Sequence, residues 1–140
     1  MTASTQLVAA CLAMVLLVFV VGLRMFRSRI GEMVAHRIRP HEVATSVMAA
    51  AKYQDVRAAD NFRNLFEVPV LFFALVAIAL ATKHTPGWLV AGAWLFVALR
   101  FAHSYIHCTY NKVRHRFYVF ATALTVVMVL WVAFFVTLPA

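Results

Sequence analysis

Asn64-Leu-Phe-Glu-Val-Pro-Val-Leu-Phe-Phe-Ala-Leu-Val-Ala-Ile-Ala-Leu-Ala-Thr82 is the stretch whose reading decides the fold. After Glu67 it carries no charge until Lys83. At about 1.5 Å of rise per residue it spans about 28 Å as a helix, close to the roughly 30 Å of a bilayer's hydrocarbon. Lipid offers no partner to backbone N–H and C=O groups, so a spanning run must satisfy them internally, as a helix does. Three more runs of similar length flank it: about 5–26, about 88–108 and about 117–138. An alternating β-barrel pattern is absent. The expectation is an all-α membrane protein, a bundle of four transmembrane helices at about 5–26, 60–82, 88–110 and 116–138, in one domain over 1–140.

Composition agrees. Of 140 residues, 64% are apolar and 13% charged, where soluble domains run nearer half and a quarter. The net charge of +8 lies between the apolar runs, so it reads as a topology signal and not as a nucleic-acid footprint. Cys11 and Cys108 have neither zinc nor disulfide spacing and read as small apolar fillers. Residues Met1 to Leu23 hold no charge, so the basic head of a signal peptide is missing and the first run reads as a retained span.

The connections differ sharply in charge. Eight Lys/Arg lie between Arg24 and Arg63, three between Lys112 and Arg116, and one, Lys83, in the short Thr82–Gly87 link. The positive-inside rule puts the first connection, about 27–60, and the third in the cytoplasm, with both termini opposite. With a bacterial source this means a multi-pass inner-membrane protein with periplasmic ends. Pro40 suits a first helical turn, and Val43, Val47, Ala50 and Ala51 recur at helical spacing. They predict a helix from about His41 to Arg63, continuous with the second span. Pro86-Gly87 reads as the turn into the third.

Two polar sets interrupt the apolar pattern. Arg57, Asn61, Asn64 and Glu67 step by four, three and three, which stacks them on one helical face. Arg100, His103, His107, Asn111 and Arg114 step by three, four, four and three, a second such face. A central Arg costs roughly 2.5–3.5 kcal/mol to insert and so pairs or lines a wet cavity. Glu67, the one acidic residue within the runs, is the expected partner of Arg100. Read blandly, the pair locks helices and the Asn residues are interhelical hydrogen-bond glue. His103 and His107 have metal spacing but lack a third ligand type, so no metal is expected. Read together, the two faces suit an anionic or zwitterionic small molecule: guanidinium groups grip carboxylates and Glu67 an ammonium. The faces span about 15 and about 21 Å, against roughly 10 Å for an extended tripeptide.

The stretch Asn61-Phe-Arg-Asn-Leu-Phe-Glu-Val-Pro69 resembles the second-helix motif of the MAPEG family, the membrane-associated proteins in eicosanoid and glutathione metabolism. Arg100-Phe-Ala-His-Ser104 resembles its third-helix motif, and Arg114 with Tyr118 and Ala121 the start of its fourth helix. The likeness covers nearly the whole chain and is greatest to uncharacterised bacterial members. It implies a homotrimer with a glutathione site between subunits near the cytoplasmic side. In glutathione-conjugating members an Asn and a Glu of helix 2, matching Asn64 and Glu67, contact the tripeptide. An Arg matching Arg114 stabilises its thiolate. Two aromatic hydroxyl positions of helix 3 match His103 and His107, and an Arg ending helix 1 corresponds to Arg24 or Arg27. The chain departs from the better-known transferases, which carry Arg-x-Gln where Asp60 and Phe62 stand; Arg57, one turn earlier, replaces the missing Arg.

The resemblance thus implies glutathione as co-substrate, held by Arg57, Asn61, Asn64, Glu67, Arg100, His103 and His107, with Arg114 as the catalytic cation. The free thiol ionises near pH 8.5 and the thiolate is the nucleophile; lowering that value by about two units takes roughly 2.7 kcal/mol. The expected activity is transfer of the thiolate to a lipophilic electrophile, or reduction of a lipid peroxide, with substrate entering from membrane lipids. The alternatives are a non-catalytic protein whose polar faces only assemble the trimer, and a binder of another anionic metabolite or lipid.

Overall fold

A computed structural model describes residues 1–138. Six α-helices follow in order: α1 (Ala3–His36), α2 (Ser46–Lys52), α3 (Arg57–Asn64), α4 (Val68–Ala81), α5 (Gly87–Cys108) and α6 (Val113–Thr137), with a 3-10 turn at Pro40–Val43. Four helical stretches are long and apolar enough to cross a membrane: Ala3–His36, Arg57–Ala81, Gly87–Cys108 and Val113–Thr137.

The packing follows seams of alternating three and four steps, which keep one narrow stripe of each helix facing its neighbours. On α1 the buried stripe is Leu7, Ala10, Met14, Leu17 and Val21. On α6 it is Ala123, Val127, Leu130 and Phe134. On α5 the stripe begins with Leu89, Ala93 and Phe96 and continues, in the same register, as Arg100, His103 and His107. Phe96 stacks on Phe72 of α4 at 4.8 Å between centroids. The opposite faces expose Leu12, Val15, Phe19, Val129, Val132 and Phe135. In water these would be a liability; in lipid, hydrocarbon is as apolar as leucine, so close packing and interhelical hydrogen bonds hold the bundle instead. At Gly92 a Cβ would meet the Leu130 side chain (3.1 Å from Cδ1), so the missing side chain is what lets α5 and α6 approach. Trp131 Nε1 donates to the Leu71 carbonyl at 3.0 Å, tying α6 to α4.

The second span is not one continuous helix. α3 stops at Asn64 and α4 starts at Val68, with Leu65–Glu67 between them in turn geometry. Pro69 accounts for the break: it offers no N–H to the Leu65 carbonyl, and its ring clashes with that carbonyl in an unbroken helix. The predicted helix from His41 to Arg63 is likewise divided. Tyr53–Val56 leaves helical geometry, and Glu32 of α1 explains the choice. Its carboxylate accepts the backbone N–H of Gln54 at 2.6 Å and of Asp55 at 2.9 Å. Arg29 lies 5.6 Å from the centre of the Tyr53 ring. α1 itself runs ten residues beyond the expected end, about 51 Å in all by helix rise, because it serves as this connection's post.

The polar residues gather at one end of the bundle. At the other, His84 in the α4–α5 turn lies 3.4 Å from Thr137 Oγ1 at the end of α6.

Candidate functional site

Two polar networks occupy that end, on adjoining faces of α5 (Ser104 and Cys108 in one, His103 and His107 in the other). The first joins α1, α3 and the C-terminus of α5. A helix leaves its last carbonyls without intrahelical donors, and here two guanidinium groups supply them. Arg24 Nη2 donates to the Cys108 carbonyl at 2.6 Å, and Arg57 Nη1 to the Thr109 carbonyl at 2.5 Å. Arg57 also grips Asp55 in two parallel bonds, Nε to Oδ1 and Nη2 to Oδ2, both 2.8 Å. That grip, above all, holds the Asp55 carboxyl below its ordinary range. Asn61 is buried; its Nδ2 donates to Cys108 Sγ at 3.4 Å and its Oδ1 accepts from Ser104 Oγ at 3.3 Å. Arg57 and Asn61, expected among the ligand contacts, thus direct their hydrogen bonds inward. Cys11 and Cys108 are both free thiols.

The second network lies where the α3–α4 break meets α5 and α6. The break frees the Asn64 carbonyl, and Arg100 Nη2 donates to it at 2.9 Å. Arg100, His103 and His107 are all buried. Four of their nitrogens have no partner among the described residues: Arg100 Nε and Nη1, His103 Nδ1 and His107 Nδ1. His103 packs edgewise on His107 at 5.5 Å and against Phe120 at 5.7 Å, and the Arg100 guanidinium lies 5.9 Å from the Phe120 centroid. From α6, Arg116 Nη1 donates to His107 Nε2 at 2.9 Å and to Asn111 Oδ1 at 2.8 Å. His103 and Arg116 border an open cavity of ≈ 230 Å³ that is also lined by Asn64, Val113, Phe117 and Phe120; Arg100 and His107 lie behind it. One wall is cationic and amide-bearing and the other aromatic. Buried polar groups are normally paired, so four unpaired nitrogens on one helical face, with His103 at the cavity itself, call for an acceptor-rich occupant or water.

The structure corrects three expectations. Arg100 and Glu67 form no ion pair; the ion pairs among the described residues are Lys52–Glu42 and Arg57–Asp55. Glu67 sits exposed at the break, ahead of α4, because Pro69 interrupts the face that would have carried it. Arg100, His103 and His107 do share a face, but it stops there. Thr109–Lys112 leaves the helix, and Asn111 takes the left-handed region at φ 47°, which asparagine tolerates better than most residues. Arg114 therefore begins a new helix in a new register. It is exposed and lines a separate open depression of ≈ 630 Å³ with Lys112, Val113, His115 and Tyr118. The residue that α6 does bring to the histidines is Arg116. Tyr110-Asn111, a helix-ending dipeptide, was the signal that the count of helical steps had to restart.

Among the described residues no three His, Cys, Asp or Glu side chains are grouped to hold a metal ion. No curated protein and no solved structure matches the chain. A family model does: residues 7–136, from the first seam residue of α1 nearly to the end of α6, match that of the MAPEG family. Four membrane-length helices, with the polar motifs of α3 and α5 set where the resemblance put them, agree with that match, and the chain is a multi-pass integral membrane protein belonging to the MAPEG family.

Proposed function

We propose that this protein binds glutathione in the cavity between the α3–α4 break, α5 and α6, and transfers its thiolate to a lipophilic electrophile or uses it to reduce a lipid peroxide. The observation that carries the reading is the buried, under-satisfied cluster of the Arg100 cation with His103 and His107 behind a cavity whose opposite wall is Phe117 and Phe120. A cation that stays desolvated without an ion-pair partner is costly, and an anionic ligand offsets that cost. Asn64 lines the cavity, and Glu67, three residues on and exposed at the break, is the carboxylate proposed for the ligand's ammonium group. Arg57 and Asn61 hold the frame: they fix the end of α5, from which the histidines project.

In conjugation the thiol proton leaves to solvent, sulfur forms a bond to carbon, and the displaced group departs with its electron pair. In peroxide reduction two thiols are oxidised to one disulfide while the peroxide yields an alcohol and water. The aromatic wall supports entry of the second substrate from the bilayer. Family membership supports a homotrimer with the cavity completed by a neighbouring subunit. A monomer mass in native mass spectrometry across several mild detergents contradicts that part. The charge asymmetry supports a cytoplasmic cavity and periplasmic termini in a bacterial inner membrane. A C-terminal reporter active only in the cytoplasm contradicts that orientation.

Activity is tested in proteoliposomes with glutathione and either a halonitrobenzene or a lipid hydroperoxide, reading thioether or disulfide by mass spectrometry. Product formation well above protein-free vesicles, lost in Asn64→Leu with the fold intact, supports the reading. Glutathione binding without turnover of either substrate class leaves a binder and removes the enzyme.

A further inference from the structure

We infer that the groove between α1 and α5 is a binding site for an anionic glycerophospholipid, its phosphate held by Arg24 and Arg27 and one acyl chain laid along Leu16, Val20, Phe101 and Tyr105. This site is separate from the cavity proposed for glutathione: the two share no lining residue.

The groove holds ≈ 420 Å³, within the roughly 300–1,000 Å³ of small-molecule sites. Its floor is the α1–α5 seam, where Leu17, Val21, Ser104 and Cys108 are buried. The polar atoms of that floor are engaged from behind. Ser104 Oγ donates to Asn61 Oδ1, and Cys108 Sγ accepts from Asn61 Nδ2. The floor therefore asks nothing polar of an occupant. Leu16 and Val20 rise on the α1 side, and Phe101 and Tyr105 on the α5 side, all exposed. Each pair is four residues apart, one turn of its helix, so the two walls run side by side. From Leu16 to Arg24 the groove extends about 12 Å by helix rise.

The groove ends at a cation. Arg24 Nη2 donates to the Cys108 carbonyl at 2.6 Å, which pins the guanidinium over the end of α5. Its Nε and Nη1 make no hydrogen bond among the described residues. Arg27 follows three residues on, on the same helical face. The two arginines line a further depression of ≈ 580 Å³, which joins the groove through Val20 and Arg24. Asp55 lines it too, but Arg57 holds both of its carboxylate oxygens. An apolar trough that runs into two cations matches an anionic amphiphile. Guanidinium groups grip phosphate oxygens, and the anionic lipids of the cytoplasmic leaflet gather at basic residues beside a span. A second copy of the chain fits the charged end less well. Of the five acidic residues, Glu32, Glu42 and Asp55 are bonded within the chain. Only Asp60 and Glu67, both ahead of α4, are left to answer the arginines.

The test uses the full chain in proteoliposomes doped with a phosphatidylglycerol that carries a diazirine on one acyl chain. After illumination, labelled residues are mapped by mass spectrometry. Label should concentrate between Leu16 and Val20 and between Phe101 and Tyr105. Unlabelled phosphatidylglycerol should compete it away, and phosphatidylcholine with the same acyl chains should compete about fivefold less well, the worth of one basic residue at an anionic surface. Arg27→Gln should abolish most of that preference. Arg24→Gln should do the same, and because Arg24 also caps α5, Arg27→Gln decides if that variant does not fold. Lys112→Gln, another exposed cytoplasmic cation, should leave labelling and preference unchanged. Equal competition by both lipids, or label spread evenly over the outer faces of α1, α5 and α6, means an unselective lipid annulus and overturns the inference. Absence of label from the groove, as when a neighbouring copy covers it, overturns it too. Glutathione binding is unaffected by any of these outcomes.

Discussion

Arg100→Met separates what the bundle needs from what the site needs. Arg100 is buried, with one hydrogen bond, to the Asn64 carbonyl at 2.9 Å, and a Phe120 ring 5.9 Å away. Losing the charged hydrogen bond costs about 1.5–3 kcal/mol, and losing the ring contact about 0.5–2 kcal/mol. Against this stand Nε and Nη1, buried without partners, each costing about 1–3 kcal/mol in the native state. Methionine keeps most of the aliphatic stem's packing, so no large cavity opens. The two sides offset to within about 2 kcal/mol. Without ligand, the variant should unfold in a denaturing-detergent titration within that margin of wild type, while losing stabilisation by glutathione. Because no Arg100–Glu67 ion pair is present, Glu67→Gln should couple to it by far less than the roughly 3 kcal/mol of a broken buried pair. A ligand-free loss of more than about 3 kcal/mol, the signature of breaking a buried pair, or strong coupling to Glu67, refutes the reasoning.

Two further outcomes follow from the network around α5's end. Arg57→Leu removes the donor to the Thr109 carbonyl and the half-exposed pair with Asp55; it should cost about 2–3 kcal/mol in the same titration, mostly from the carbonyl bond, since exposed ion pairs contribute little. The depressed Asp55 carboxyl stabilises the fold above its unfolded pKa and loses that contribution as pH falls through its lower folded value. Asp55→Asn should therefore be less stable than wild type at neutral pH and converge with it in strong acid; a gap that widens on acidification contradicts the assignment.

The four spans and the family were legible because bilayer thickness converts directly into a length of apolar sequence, and the α5 face was legible as far as His107 because helical steps stay in phase within one helix. What failed to read lies at breaks. Pro69 was visible, but the run around it was apolar enough to pass as one helix, so Glu67 was counted on through a break and paired with an Arg100 it does not bridge. Asn111 resets the register before Arg114, and the same count carried across it put the wrong arginine beside the histidines. The fold of residues 37–56 depends on Glu32 and Arg29 reaching across from α1, a long-range choice that local periodicity does not encode. What the sequence shows of Arg57 and Asn61 is polar side chains near a membrane, and not the carbonyl and thiol they answer within the fold.

The claim that the cavity beside Arg100, His103 and Arg116 is a glutathione site is tested most directly by a thermal-shift titration of the purified protein in mild detergent, with glutathione and S-hexyl glutathione. A ligand that binds only the folded state stabilises by about 2.7 kcal/mol at a hundred times its dissociation constant. The account predicts a melting temperature that climbs with the logarithm of either ligand's concentration in wild type, and a flat response in Asn64→Leu and Arg100→Met. A flat response of wild type to millimolar concentrations of both ligands contradicts it.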